Sequence, residues 1–267
     1  MNSGDKTSGL GRRLKPSGLL YSAYERRLLA SLDRTRLPRH VAVMADGNRR
    51  WARLNAPGET LVAGYEAGAA KLKEFVSWCD AVGIQIVTLW VLSPSNLDRG
   101  DEEVLPLLDV IVGLVKGLVG EGRRVQIVGA LDLLPPAIAD VLRETVAQSG
   151  ERDGMHINVA VSYAGRHELR DAFRSLLAAE ATKGTTLEEL SQTLEMDTIA
   201  GHLYTAGQPD PDLIIRTSGE QRLSDFLIWQ SAHSEFYFCE ALWPDFRRVD
   251  FLRALRSFAQ RERRFGR

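Results

Sequence analysis

From residue 38 onward the chain alternates two hydrophobic patterns. Short, nearly unbroken apolar runs (HVAVMA, GIQIVTLWVLS, RRVQIVGAL, HINVAVSY, DLIIRTS and EFYFCE) are separated by segments of helical length at 66–81, 102–119, 135–148, 167–181 and 224–233. Runs too continuously apolar to leave a wet face read as strands buried on both sides. Their alternation with helices predicts an α/β fold, a six-stranded parallel sheet flanked by helices on both faces. Ahead of it, Leu20, Tyr24, Leu28 and Leu32 recur at helical spacing in GLLYSAYERRLLASLDR, while residues 1–18 are rich in Gly, Ser and Lys. We therefore expect an N-terminal extension, 1–37, with a disordered start and then a short helix, followed by one domain over 38–267. The helix is expected to pack on that domain, with attachment to a membrane surface as the alternative. No fixed-period repeat and no linker after Pro38 interrupts the pattern.

Composition narrows the partners. The 267 residues are 44% apolar, enough for a large core, and 34 basic against 35 acidic residues leave a formal charge of -1. No global field exists to recruit nucleic acid, so any anion site must be local. Cys79 and Cys239 are far apart and match no metal-ligand spacing, which fits a reducing cytosol rather than a disulfide framework. The N-terminal residues lack the apolar stretch of a signal peptide, and no segment approaches the roughly 18–20 apolar residues of a membrane span. A soluble, cytoplasmic protein is expected, at most peripheral to the membrane.

In open parallel sheets, ligands bind beyond the carboxyl ends of the strands. Four runs end there in polar, mostly glycine-bearing turns: Asp46-Gly47-Asn48-Arg49-Arg50, Ser93-Pro94-Ser95-Asn96, Ser162-Tyr163-Ala164-Gly165-Arg166 and Arg216-Thr217-Ser218-Gly219-Glu220. If all face one cleft, Arg49, Arg50, Arg166 and Arg216 surround one carboxylate, a composition suited to diphosphate. Asp46 alone could equally cap the following helix. Gly47 allows close backbone approach, and helix N-terminal amides with Asn48 and Arg50 would cradle an anion. A carboxylate beside such a cradle suits Mg²⁺, which is usually held by one or two carboxylates plus substrate phosphates. Arg216, Arg222 and Ser224, within nine positions, suggest a second diphosphate site, because guanidinium forks match phosphate oxygens. Glu235, placed at the end of the helix expected after Ser224, is a candidate second metal ligand. The five histidines show no zinc spacing, and neither a P-loop nor a GxSxG elbow occurs.

As a set, HVAVMADGNRRWA (40–52), SPSNLDR (93–99), NVAVSYAGR (158–166), IIRTSGEQRLSDFLIWQSAHSE (214–235) and LWPDF (242–246) resemble, in order and spacing, the five motif regions of the cis-prenyltransferases, the undecaprenyl diphosphate synthase family. The resemblance implies a homodimer, an active site opening into a hydrophobic tunnel, and 38–267 as the catalytic domain. It implies that Asp46 works with Mg²⁺ on the allylic diphosphate and that Asn48 and Arg50 belong to the cradle for that group, with Gly47, Arg49 and Trp51 as further expected substrate-binding residues. It also implies that Arg216, Arg222 and Ser224 hold isopentenyl diphosphate, and that Glu235 is the second metal carboxylate. By the same resemblance Ser93 and Asn96 orient substrate near the departing proton, Asn96 being catalytic with Asp46; Arg99 is an expected substrate-binding residue, and Arg264 and Gly266 belong to a terminal R-x-G element that reaches the partner's site. The implied reaction is attack of isopentenyl diphosphate on C1 of an allylic diphosphate, with loss of a C2 proton to leave a Z double bond.

Some positions depart from long-chain members. Arg49 stands where Gly is frequent, and Leu61 and Tyr65 stand where an Arg and a His often help bind the allylic diphosphate. Val91 and Leu92 occupy the place of a smaller residue followed by Phe, in a tunnel wall expected to include 66–81 and 102–119, and are the expected chain-length determinants. LWVLSPSNL resembles the pattern of short-chain Z-farnesyl diphosphate synthases, so a C15 product from geranyl diphosphate is expected. The alternatives are a long-chain Z-polyprenyl synthase, a lavandulyl-type branching synthase on the same fold, and a non-catalytic partner subunit.

Overall fold

The computed structural model describes residues 18–58, 60–150 and 153–261, with side chains from Tyr21 onward. All six expected strands form: β1 (His40–Met44), β2 (Ile86–Trp90), β3 (Arg124–Val128), β4 (His156–Ala160), β5 (Leu213–Arg216) and β6 (Glu235–Phe238). They make one all-parallel sheet in the order β3-β4-β2-β1-β5-β6. β1, buried at every residue, lies inside the sheet between β2 and β5.

Side chains alternate across a strand, so β1 divides its residues between two cores. Val41 and Val43 face the larger core, shared with the helices α1 (Gly18–Ala30), α3 (Val62–Val82), α4 (Asp101–Gly120), α5 (Pro136–Ala147) and α9 (Arg248–Gln260). Ala42 and Met44 face Tyr163, Phe226 and Leu227 on the other side. There α6 (Gly165–Lys183) packs with the short helices α7 (Leu187–Thr193) and α8 (Met196–Ala200) through Leu176, Leu190 and Ile199. The expected N-terminal helix is α1, and it lies on α9 with Leu28 and Leu32 in the large core. The expected start of the extension lies outside the described residues.

One expected helix is absent. Segment 224–233 is a series of turns in which Ser224, Asp225 and Leu227 have left-handed backbones with φ of 49°, 72° and 45°. Such residues cannot propagate a right-handed helix. Tertiary contacts hold the segment instead: Gly165 N–H donates to the Asp225 carbonyl at 2.7 Å, and Phe226 stacks on Trp90.

Candidate active site

The site is built on the turn after β1. Gly47, with φ of 109°, starts α2 (Asn48–Asn55), so Asp46 is not the helix cap and its carboxylate is left for other partners. Arg216 Nη2 donates to Asp46 Oδ2 at 3.4 Å, and Arg50 Nη2 lies 3.9 Å from Oδ1. Thr217 locks the turn from β5: its Oγ1 accepts from Asp46 N–H at 3.0 Å and donates to the Asp46 carbonyl at 2.8 Å.

The LWPDF motif buttresses the same turn from behind. Trp243 N–H donates to the Asp46 carbonyl at 3.0 Å, and its indole N–H donates to the Gly68 carbonyl at 2.9 Å. A Cβ on Gly47 would lie 2.9 Å from the Leu242 side chain, so only glycine admits this contact. Trp51, expected to meet substrate, instead donates its indole N–H to Asp245 at 2.9 Å and does not line the cavity. Its work is to tie α2 to that motif.

A cavity of about 430 Å³ opens before Asp46. Five arginines line it (Arg49, Arg50, Arg53, Arg99 and Arg216), together with Gly47, Asn48, Ser93, Asn96 and Ser224. Arg53 was not legible as a site residue; one helical turn beyond Arg49 on α2, it follows once that helix is known. Arg216 is 4% exposed, and burial is the main influence that lowers its pKa. Its Nη1 donates to Ser224 Oγ at 2.8 Å and to the Arg222 carbonyl, while its Nε has no hydrogen-bond partner among the described residues. A buried donor left unpaired costs on the order of 1–3 kcal/mol, which a ligand oxygen would relieve.

Other expectations need correction. The Arg222 guanidinium pairs with Glu220 outside the cavity lining, while its carbonyl accepts from Arg216. Arg166 is highly exposed, near Asp225, and does not line the cavity either. Asn96 lines the cavity, but its Oδ1 accepts from Ser93 N–H at 3.1 Å and so also caps the turn at 94–96. Glu235 is not at the end of a helix. It opens β6 beside Leu213 and pairs with Arg261, three residues before Phe238, the register partner of Arg216. At roughly 3.3 Å per residue this puts it about 10 Å along the sheet from the site, so one chain does not bring Glu235 to Asp46. Arg264 and Gly266 lie outside the described residues.

Asp46 alone of the expected ligands can therefore meet a cation in this cavity. Its side chain is 42% exposed, and no group of three or more His, Cys, Asp or Glu side chains converges among the described residues. A single open carboxylate beside an anion cradle fits Mg²⁺, whose remaining ligands are characteristically phosphate oxygens and water.

Behind the arginines the lining turns apolar. Ala45, Asn48, Tyr65, Trp90, Val91 and Leu107 border both the outer cavity and an inner chamber of about 30 Å³ closed by α3 and α4. That is room for one or two water-sized spheres. Val91 sits at the junction, whereas Leu92 lines the outer cavity only.

Fold and site together define an α/β protein with a cavity at the carboxyl ends of its strands that passes from cationic to apolar over one wall. A family model described as "Putative undecaprenyl diphosphate synthase" matches residues 44–266. The chain is 59% identical over 250 residues to a (2Z,6E)-farnesyl diphosphate synthase of Thermobifida fusca (strain YX), covering 92% of this chain and 97% of the relative. It is 50% identical over 251 residues to a (2Z,6E)-farnesyl diphosphate synthase of Mycolicibacterium smegmatis (strain ATCC 700084 / mc(2)155), covering 92% and 95%. Among solved structures, the lavandulyl diphosphate synthase of Lavandula x intermedia, in complex with dimethylallyl diphosphate, superimposes with a TM-score of 0.79 at 35% identity, over 87% of this chain and 100% of that one. The chain belongs to the undecaprenyl diphosphate synthase family, the cis-prenyltransferases, and is a prenyltransferase.

Proposed function

We propose that the enzyme condenses isopentenyl diphosphate with geranyl diphosphate, with Mg²⁺ as cofactor, to give (2Z,6E)-farnesyl diphosphate. The observation that carries this reading is an arginine-lined cavity whose wall turns apolar at Tyr65, Val91 and Leu107. The arginine rim suits diphosphate, and the apolar wall behind it suits a prenyl tail. Two relatives carry the name of this product.

In this reading Asp46 holds Mg²⁺ with the allylic diphosphate, and the metal, when bound, neutralises the departing anion. Asn48, Arg49, Arg50 and the α2 N-terminal amides orient that diphosphate; Arg216 and Ser224, with Arg222 swung inward from Glu220, hold isopentenyl diphosphate. Ser93, Asn96 and Arg99 line the wall beside the reacting carbons. The C4–C1 bond forms as the C1–O bond breaks with its electron pair, and the C2 proton then leaves. We assign that proton to an oxygen of the released diphosphate, because the cavity lining holds no histidine and its one carboxylate faces Arg216 and Arg50. Catalysis is chiefly positioning and electrostatic stabilisation.

A homodimer is part of the proposal, formed over the β6 edge, where Phe236 and Phe238 stack and Phe238 is exposed, and over Phe173 and Leu177 of α6. No described helix is long and apolar enough to cross a membrane.

The test is chromatography of products from purified enzyme, Mg²⁺, labelled isopentenyl diphosphate and allylic starters of graded length. A C15 Z-product from geranyl diphosphate, lost with EDTA and in Asp46→Ala, is expected. Products of C50 or longer would refute the short-chain reading, and branched C10 products from dimethylallyl diphosphate alone would replace it with a lavandulyl-type reaction.

A further inference from the structure

Tyr65 lies where the polar rim gives way to the apolar chamber: its ring is 6% exposed and borders both spaces. The hydroxyl does not face a ligand space as a free donor. It donates to Glu103 Oε1 at 2.6 Å. That one oxygen also accepts from Arg99 Nη1 at 2.9 Å and lies 3.4 Å from Arg49 Nε, and Arg99 Nη1 donates to the Tyr65 hydroxyl at 3.2 Å.

Three helices meet at this point, each through its first turns: Arg49 on α2, Tyr65 on α3 and Glu103 on α4. A carboxylate near the start of α4 is favoured by the helix dipole. Glu103 is 16% exposed at its side chain and does not line the cavity. Its burial, the largest single influence, opposes ionisation, yet the Tyr65 hydrogen bond and the charges of Arg99 and Arg49 outweigh it and hold the carboxyl below its ordinary pKa. The same pair of effects, burial first and Glu103 second, pushes the Tyr65 phenol up to about 12, so it stays a proton donor.

We propose that Glu103 is a positioning residue for starter selection: it fixes the Tyr65 ring across the neck of the tail chamber and holds Arg49 and Arg99 at the rim, so that allylic diphosphates are sorted by tail length. This rests on the prenyl-transfer reading above. A ring pinned at both ends, by packing and by its hydroxyl, cannot turn aside for a longer tail. Once released, it can swing with the tail's arrival. The carboxylate reaches the substrate only through Tyr65 and the arginines.

The test uses the full-length enzyme with Mg²⁺ and isopentenyl diphosphate, comparing geranyl and farnesyl diphosphate as starters for wild type, Tyr65→Phe, Glu103→Gln and the double variant. The ratio of kcat/KM for farnesyl over geranyl is expected to rise on the order of tenfold in each single variant, the scale on which a pocket reads small changes in apolar length. The double variant is expected to exceed neither single variant appreciably, because both cut the same link. KM for isopentenyl diphosphate should stay within about twofold. Calorimetric affinities for geranyl and farnesyl thiodiphosphate, which bind without turnover, should shift in the same ratio. A ratio unchanged in both folded variants, or equal losses for both tails, overturns the proposal and leaves Glu103 a structural tie. A wild type inactive with every starter counts instead against the functional reading, and the thiodiphosphate ratio still decides the role of Glu103.

Discussion

Gly68 shows how one missing atom makes room for a site side chain. A Cβ there would sit 2.5 Å from Asn48 Oδ1, in the seam where α2 and α3 touch. Gly68→Ala gains helix propensity of up to about 1 kcal/mol, but overpacking costs about 1–3 kcal/mol and displaces Asn48 from the anion cradle. A lower urea midpoint and a KM for the allylic diphosphate raised severalfold are expected; an unchanged KM would show that Asn48 does not bind that group. At Arg216 the geometry matters beyond the charge, since one guanidinium serves Asp46, Ser224 and the Arg222 carbonyl at once. Arg216→Lys keeps the charge and cannot make all three contacts, so kcat/KM should fall about 10²–10³-fold in steady-state assays. Near-normal rates would reduce Arg216 to a structural charge.

At the scale of elements, α1 does more than precede the domain. Leu28 is 2% exposed within the large core, Arg247 lies over the Tyr21 ring and Arg253 over the Tyr24 ring. Leu28→Ala should therefore cost about 2–5 kcal/mol in a denaturation series while sparing the site, which is built on other elements. A loss below 0.5 kcal/mol, roughly the scale of an ordinary surface substitution, would mean that the helix detaches in solution. The strands were legible because each is a short run buried on both faces, and the turns after them were legible as ligand-bearing because a parallel sheet puts its ligands there. The 224–233 segment was not: its apolar residues have helical density, and contacts with residues distant in sequence, Gly165, Trp90 and Arg216 among them, hold it in left-handed turns. Helix α9 was also missed, although Val249, Phe251, Leu252, Leu255 and Phe258 supply a helical apolar face and Asp250 caps Arg247. The motif residues Asp46, Arg50 and Arg216 do meet at one cavity, but sequence does not show which way a long side chain points. Trp51, Arg166 and Arg222 accordingly faced elsewhere.

For the whole molecule, the N-terminal end of the sheet makes stability depend on pH. Burial, helped by the charges of Arg124 and His40, depresses His156 to about 4, and its Nε2 has no hydrogen-bond partner among the described residues. Burial also lowers His40, whose ring bonds the Pro209 carbonyl and Thr88 Oγ1. An unfolded histidine takes up its proton near 6.5, so stability is complete above that pH and is lost as pH falls toward about 4. For His156, discounted for its partial exposure, the loss is about 1–2 kcal/mol. Melting temperature should fall between about pH 6.5 and 5, and His156→Gln should flatten that fall; an identical profile would assign it to other groups.

β1 has β2 on one side and β5 on the other, and Arg216 follows Asp46 by 170 positions. During synthesis, then, a nascent chain carries the acid long before its guanidinium partner leaves the ribosome. Such long-range pairing is late and slow to form. The complete pocket therefore forms late, once β5 has joined β1, and a chain stopped before β5 would carry Asp46 and the α2 arginines without Arg216.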